Sequence, residues 1–156
     1  MEPEAVTLAD HSALDYFDSQ TVALPHSITA LEAWTILSGQ TGPVMRLAFK
    51  IRDTISALFG VRRIGGFSGK RRDHVREGDY LDFFLVERIE GNMLVLTARD
   101  NHLDVMTCIT TGAGSVSITA SVITKNFFGR LYMLPVGPAH RLIVWNLLKR
   151  LKHSVR

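Results

Sequence analysis

The stretch SVSITASVITKNFFGRLYMLPVGP, residues 115–138, decides the fold. Its first ten residues alternate: Val116, Ile118, Ala120 and Val122 fall on one side of an extended chain, and Ser117, Thr119 and Ser121 on the other. That is a strand with one apolar face. Lys125-Asn126 ends the alternation, and Pro135 and Pro138 predict that no unbroken helix runs through this segment. Pro138 instead suits the first turn of a helix that follows. Leu142, Trp145 and Leu148, with Val144, Leu147 and Leu151, predict its buried stripe, and Lys149, Arg150 and Lys152 end it where the dipole favours cations.

Three more strands precede this one. Tyr80–Ile89 and Met93–Arg99 flank the hairpin connection Glu90-Gly91-Asn92, and His102–Thr111 follows Asp100-Asn101. Upstream, Val61 to Asp79 reads as a glycine-rich, charged loop, with part of Val61–Val75 available as a further strand. Pro43 to about Phe59 reads as a helix with the apolar face Val44, Leu47, Ala48, Ile51, Ile55 and Leu58, stopped by Gly60. Ser27 or Thr29 can cap a shorter helix through Leu37, Thr29-Ala30-Leu31-Glu32 having the capping-box order. Tyr16 to Leu24 is β-like and ends at Pro25. Residues 1–14 read as a flexible lead-in, and 1–156 as a single domain. The expected class is α+β: a curved antiparallel β-sheet packed against a long C-terminal helix, with two helices after the first strand.

Composition narrows the function classes. With 46% hydrophobic and 21% charged residues the chain is a folded domain, not a disordered one. A net charge of +3 does not by itself imply nucleic acid. Arg62, Arg63, Lys70, Arg71, Arg72 and Arg76 form one basic group, and Lys149, Arg150, Lys152, His153 and Arg156 another. Such groups suit an anionic surface, yet only Phe67 interrupts the first, so no single-strand-binding platform is expected. Nucleic acid is therefore not an expected partner. No apolar run approaches a membrane span, and the acidic start MEPEAVTLAD lacks a secretory pattern, so a cytoplasmic location is expected. Cys108, the single cysteine, excludes an intramolecular disulfide and reads as an inert core thiol.

Several segments together resemble the bacterial domain-of-unknown-function family 2867 (DUF2867). They are Asp15-Tyr16-Phe17-Asp18-Ser19, Arg52-Asp53 leading to Leu58-Phe59-Gly60, Asp100-Asn101-His102-Leu103-Asp104, and Asn126-Phe127-Phe128-Gly129-Arg130 onward to His140-Arg141-Leu142-Ile143-Val144. The resemblance implies a bacterial source and no assigned catalytic residues. Related sequences tend to continue His-Leu-Asp with Phe and Arg, where this chain has Val105 and Met106. The element order is also similar to the helix-grip fold of START-like and Bet v 1-like proteins.

Polar residues set inside apolar sequence are the site candidates. His102 and Asp104, two apart on a predicted strand, would share a face and are the acid/base candidates. Arg130 is a ligand contact able to fork to a carboxylate, that of Asp82 or Asp104 included, and Tyr132 and His140 are further contacts. The plain alternative for each is a satisfied structural polar group. Phe84, Val86, Leu96, Leu103, Val105, Trp145 and Leu148 are candidate walls. No HxH, HExxH, Gly-x-Ser-x-Gly or complete phosphate-loop pattern occurs, so neither metal nor cofactor is expected. The leading expectation is an apolar or amphipathic small molecule held between sheet and C-terminal helix. The alternatives are an enzyme using His102 and Asp104 in that space, and an interaction module for an oxidoreductase-like domain; a homodimer is a further candidate assembly.

Overall fold

Alternation in the sequence becomes a six-stranded antiparallel sheet in the structure, a computed structural model that describes residues 3–39, 43–58 and 74–155. The elements run β1 (Tyr16–Ala23), α1 (Ala30–Gly39), α2 (Pro43–Leu58), β2 (Tyr80–Leu81), β3 (Phe84–Glu90), β4 (Met93–Arg99), β5 (Leu103–Gly112), β6 (Ser115–Thr124) and α3 (Phe127–Ser154). The curved sheet has the order β1-β6-β5-β4-β3-β2. The class is α+β, and both helices predicted after the first strand are present. The loop and the strand expected within Val61–Val75 lie largely outside the described residues, as does Phe59-Gly60.

Local chemistry sets the boundaries. The Thr29 hydroxyl accepts the Glu32 N–H at 3.1 Å, the N-cap half of the predicted capping box, and donates to the Glu32 carboxylate at 3.2 Å. Asp100 Oδ1 accepts the backbone N–H groups of His102 (2.7 Å) and Leu103 (2.9 Å), which turns β4 into β5. Where one strand was expected over Tyr80–Ile89, the chain instead folds back at Asp82-Phe83, so that Tyr80 pairs with Leu85 and Leu81 with Phe84. Asp82 takes φ 56°, a left-handed conformation that Asp tolerates better than most residues, and no glycine announces it.

The C-terminal helix also differs from expectation: it is unbroken from Phe127 to Ser154, with Pro135 and Pro138 inside it. Both prolines are exposed, as are Leu131 and Leu134, whose carbonyls lose their helical donors. Water can serve those carbonyls, so the helix continues. Its buried stripe is Gly137, Val144, Leu148 and Leu151, whereas Leu142 and Trp145 are 69% and 56% exposed. The predicted stripe is therefore rotated toward solvent at those two residues. On α2, Leu47 and Ile51 of the predicted apolar face are exposed too; the side chains of Val44, Ala48, Ile55 and Leu58 lie outside those described. What turns inward is Phe49, T-shaped against Phe83 at 6.2 Å, and Arg52.

The sheet is buried on both faces. Leu94, Leu96, Ile109, Val116 and Ile118 join Trp34, Leu37, Val144, Leu148 and Leu151 in the main core. Each such side chain contributes about 1.5–3 kcal/mol by leaving water. Met93, Val95, Met106 and Cys108 form a second cluster on the other face, covered by Ala5, Val6 and Leu8. There the hydroxyls pair across strands, Ser19 with Thr119 at 2.9 Å and Thr21 with Ser117 at 2.6 Å, while the Leu8 N–H donates to Ser121. Those bonds let a Ser/Thr face be buried without orphaned groups.

Candidate functional site

Asn126 joins the sheet to α3. Its Oδ1 caps the helix by accepting the Gly129 N–H at 2.9 Å, which turns its amide nitrogen toward His102 Nδ1, also 2.9 Å away. Because that nitrogen can only donate, His102 Nδ1 accepts, and a neutral ring carries its proton on Nε2. The His102 ring stands edge-on to Phe128 at 4.6 Å, and Phe128 neighbours Tyr132 at 6.1 Å. Arg52 Nε on α2 donates to the Tyr132 hydroxyl at 3.0 Å, and its guanidinium lies 3.1 Å from Asp53. Burial pushes the Tyr132 phenol up in pKa, against the opposing pull of Arg52. The capping role of Asn126 does not follow from a helix expected to begin at Pro138; an Asn ahead of an apolar run is its sequence signal.

A second cluster ties β1 to the middle of α3. Tyr16 donates to the Gly137 carbonyl at 3.2 Å, and the ring lies so close that a Cβ on Gly137 would be 3.2 Å from it. Arg141 stacks over Tyr16 at 5.5 Å and reaches Asp18 at 3.6 Å. Gln20 donates to Asp18 at 2.8 Å and to the Arg141 carbonyl at 3.0 Å. His140, in the interior of the helix rather than in its first turn, stands edge-on to Tyr16 at 5.9 Å. Its Nδ1 is buried with no hydrogen-bond partner among the described residues. Burial pushes its pKa down from the ordinary value, and Asp18 pulls weakly the other way. Burial likewise raises the Tyr16 phenol, which Arg141 opposes.

The other expected contacts are dispersed. Asp104 does not converge with His102: it pairs with Arg99 (3.1 Å) and Lys125 (2.9 Å) on the side of the sheet that carries Met106 and Cys108. His102 precedes β5, in a turn, so the two-residue strand spacing does not apply to it. Arg130 is exposed and its side chain makes no bond to Asp82 or Asp104 among the described residues. Phe84 is buried edge-on to Trp34 at 5.8 Å. Trp145 points outward with Lys149 Nζ 5.0 Å from its ring. Val86, Leu96 and Leu148 are core. Among the described residues no three His, Cys, Asp or Glu side chains gather as a metal would require.

Cross-strand register defines a floor between these clusters. Tyr16, Val122, Val105 and Ala98 lie in one row across the sheet, and Asp18, Ala120, Thr107 and Leu96 in the next. Both rows share the helix-facing side with Ile109 and Leu94. Val105 and Thr107 sit on a central strand yet remain partly accessible, and Val105 joins neither core cluster. Ala98 beside them is also partly accessible, whereas Ala120, Val122 and Leu96 are buried, so the incompletely covered part of the sheet is confined to Ala98, Val105 and Thr107.

A curved antiparallel sheet with helices on one face defines an α+β domain. The chain belongs to the DUF2867 family, described as a protein of unknown function, whose model matches residues 11–147. No curated protein and no solved structure matches it. The segments that carry the family resemblance meet in space: Asp15–Ser19 faces His140-Arg141, and Arg52-Asp53 and Asp100–His102 gather around Asn126–Tyr132.

Proposed function

We propose that this domain binds an amphipathic small molecule on the floor formed by Ala98, Val105 and Thr107, beneath the first half of α3. The observation that carries this reading is the incomplete cover over Val105 and Thr107, on a central strand and on the helix-facing side where neighbouring side chains are buried. Small apolar residues would accept the ligand's apolar body. Polar groups at the border, the Tyr132–Arg52 pair and the unpartnered His140 Nδ1, would meet its polar end. The reading favours binding over catalysis, because the carboxylate of Asp104 is held by two cations away from His102.

Native mass spectrometry of protein purified from its own host tests this reading. The expected result is a co-purifying small-molecule mass that is lost in Val105→Trp, a variant that fills the floor. Protein with no bound mass that also fails to bind the amphipathic dye anilinonaphthalene sulfonate would sink it.

A further inference from the structure

The outward side of α3 carries a line of apolar side chains. Phe127, Leu131, Leu134, Leu142 and Trp145 are 75%, 48%, 71%, 69% and 56% exposed. With exposed Pro138 they follow one another at intervals of three or four residues, so they form a single stripe. The same line continues into Lys149 and Lys152, and at 1.5 Å per residue it runs about 40 Å. None of the 28 residues of α3 is Asp or Glu, while Arg130, Arg141, Lys149, Arg150 and Lys152 are cationic. All five of those cations are exposed, with Arg141 also reaching Asp18.

We infer that this side of α3 docks on an anionic phospholipid surface. The helix would lie flat, with Leu134, Leu142 and Trp145 in the boundary between headgroups and acyl chains and Lys149 and Lys152 on the phosphates. Charge and apolar area together select that partner. A second copy meeting the stripe helix to helix would bring the cations together with no carboxylate on either helix to offset them. A nucleic acid would satisfy the charges but leave the apolar line in water. Trp145, whose ring already holds the Lys149 ammonium at 5.0 Å, has the amphipathic character of an interfacial anchor. No helix among the described residues is long and apolar enough to cross a membrane, so the contact would be peripheral. The stripe lies apart from the floor around Val105, and docking does not depend on the ligand reading.

Co-sedimentation of the full chain with phosphatidylcholine vesicles, with and without phosphatidylglycerol, tests the inference. The expected result is partition at least about tenfold stronger onto the anionic vesicles, weakened by salt. Tryptophan emission should shift to the blue on binding, since Trp145 is exposed and Trp34 is already 6% exposed in the core. The double variant Leu142→Ser/Trp145→Ser, altered only at exposed positions, should lose that binding, and Lys149→Glu/Lys152→Glu should lose the anionic preference. Absence of vesicle binding, equal binding to both vesicle types, or unchanged binding by either variant would overturn the inference. So would a stable dimer in vesicle-free buffer that hides Trp145 from a soluble quencher.

Discussion

Gly129 rests directly on the backbone of His102: a Cβ at this position would run into the His102 carbonyl oxygen, and would lie 3.2 Å from its carbon and 3.4 Å from Thr124 Cβ. The Lys125 N–H donates to that same carbonyl at 2.7 Å, so the oxygen cannot move aside freely. One hydrogen atom in place of a methyl thus lets the first turn of α3 seat against the β4–β5 turn.

Gly129→Ala should therefore destabilise the protein by about 1–3 kcal/mol, the cost of overpacking against backbone rather than a mobile side chain. Alanine is the better helix former, so propensity alone predicts the opposite sign. Urea denaturation of the two proteins decides between them, and an unchanged or raised midpoint would refute the contact.

Tyr132→Phe removes the hydroxyl that accepts from Arg52 at 3.0 Å and leaves the ring in place. The expected loss is about 1 kcal/mol, since Arg52 retains Asp53 and keeps some access to water. Arg52→Ala combined with Tyr132→Phe should cost less than the sum of the singles, a coupling read from a double-mutant cycle.

Acid should weaken the fold through His140. Burial lowers its folded pKa below the ordinary 6.5, so between those two values the unfolded chain binds more protons than the folded one. Its contribution is complete above about pH 6.5 and shrinks as pH falls, with a slope of at most about 1.4 kcal/mol per pH unit from this one group. His140→Gln should flatten that part of a stability–pH profile; an identical profile would show that the imidazole does not carry it.

Cys108 is fully buried, accepts the Val6 N–H at 3.4 Å, and burial raises its pKa. A thiol reagent at neutral pH should leave the native protein unmodified and react with one equivalent after urea unfolding. Rapid native reaction would mean that residues 5–8 leave the sheet readily.

Much of the architecture was legible from residues 80–124, because a period of two with hydrophobic alternation specifies strands locally, and from Thr29–Glu32, whose cap is self-contained. The rest depended on partners distant in sequence. Pro135 and Pro138 predict a break only if their helical neighbours need every hydrogen bond, and tertiary structure placed them on the exposed side. Leu142 and Trp145 have the same spacing as a core stripe; which side of α3 faces the sheet was set by close approach at Gly129 and Gly137, which spacing does not encode. Sequence spacing makes His102 and Asp104 strand neighbours, but the Asp100 turn takes His102 out of the strand and toward Asn126. Strands β1, β4, β5 and β6, helices α1 and α2 and the family are readable from local sequence, whereas the fold-back at Asp82-Phe83 and the start of the last helix at Phe127 are not. Which polar groups meet and which side of α3 stays open come from the tertiary fold, because both rest on contacts between residues that are not sequence neighbours, from His102 with Asn126, 24 positions apart, to Tyr16 with Gly137, 121 apart.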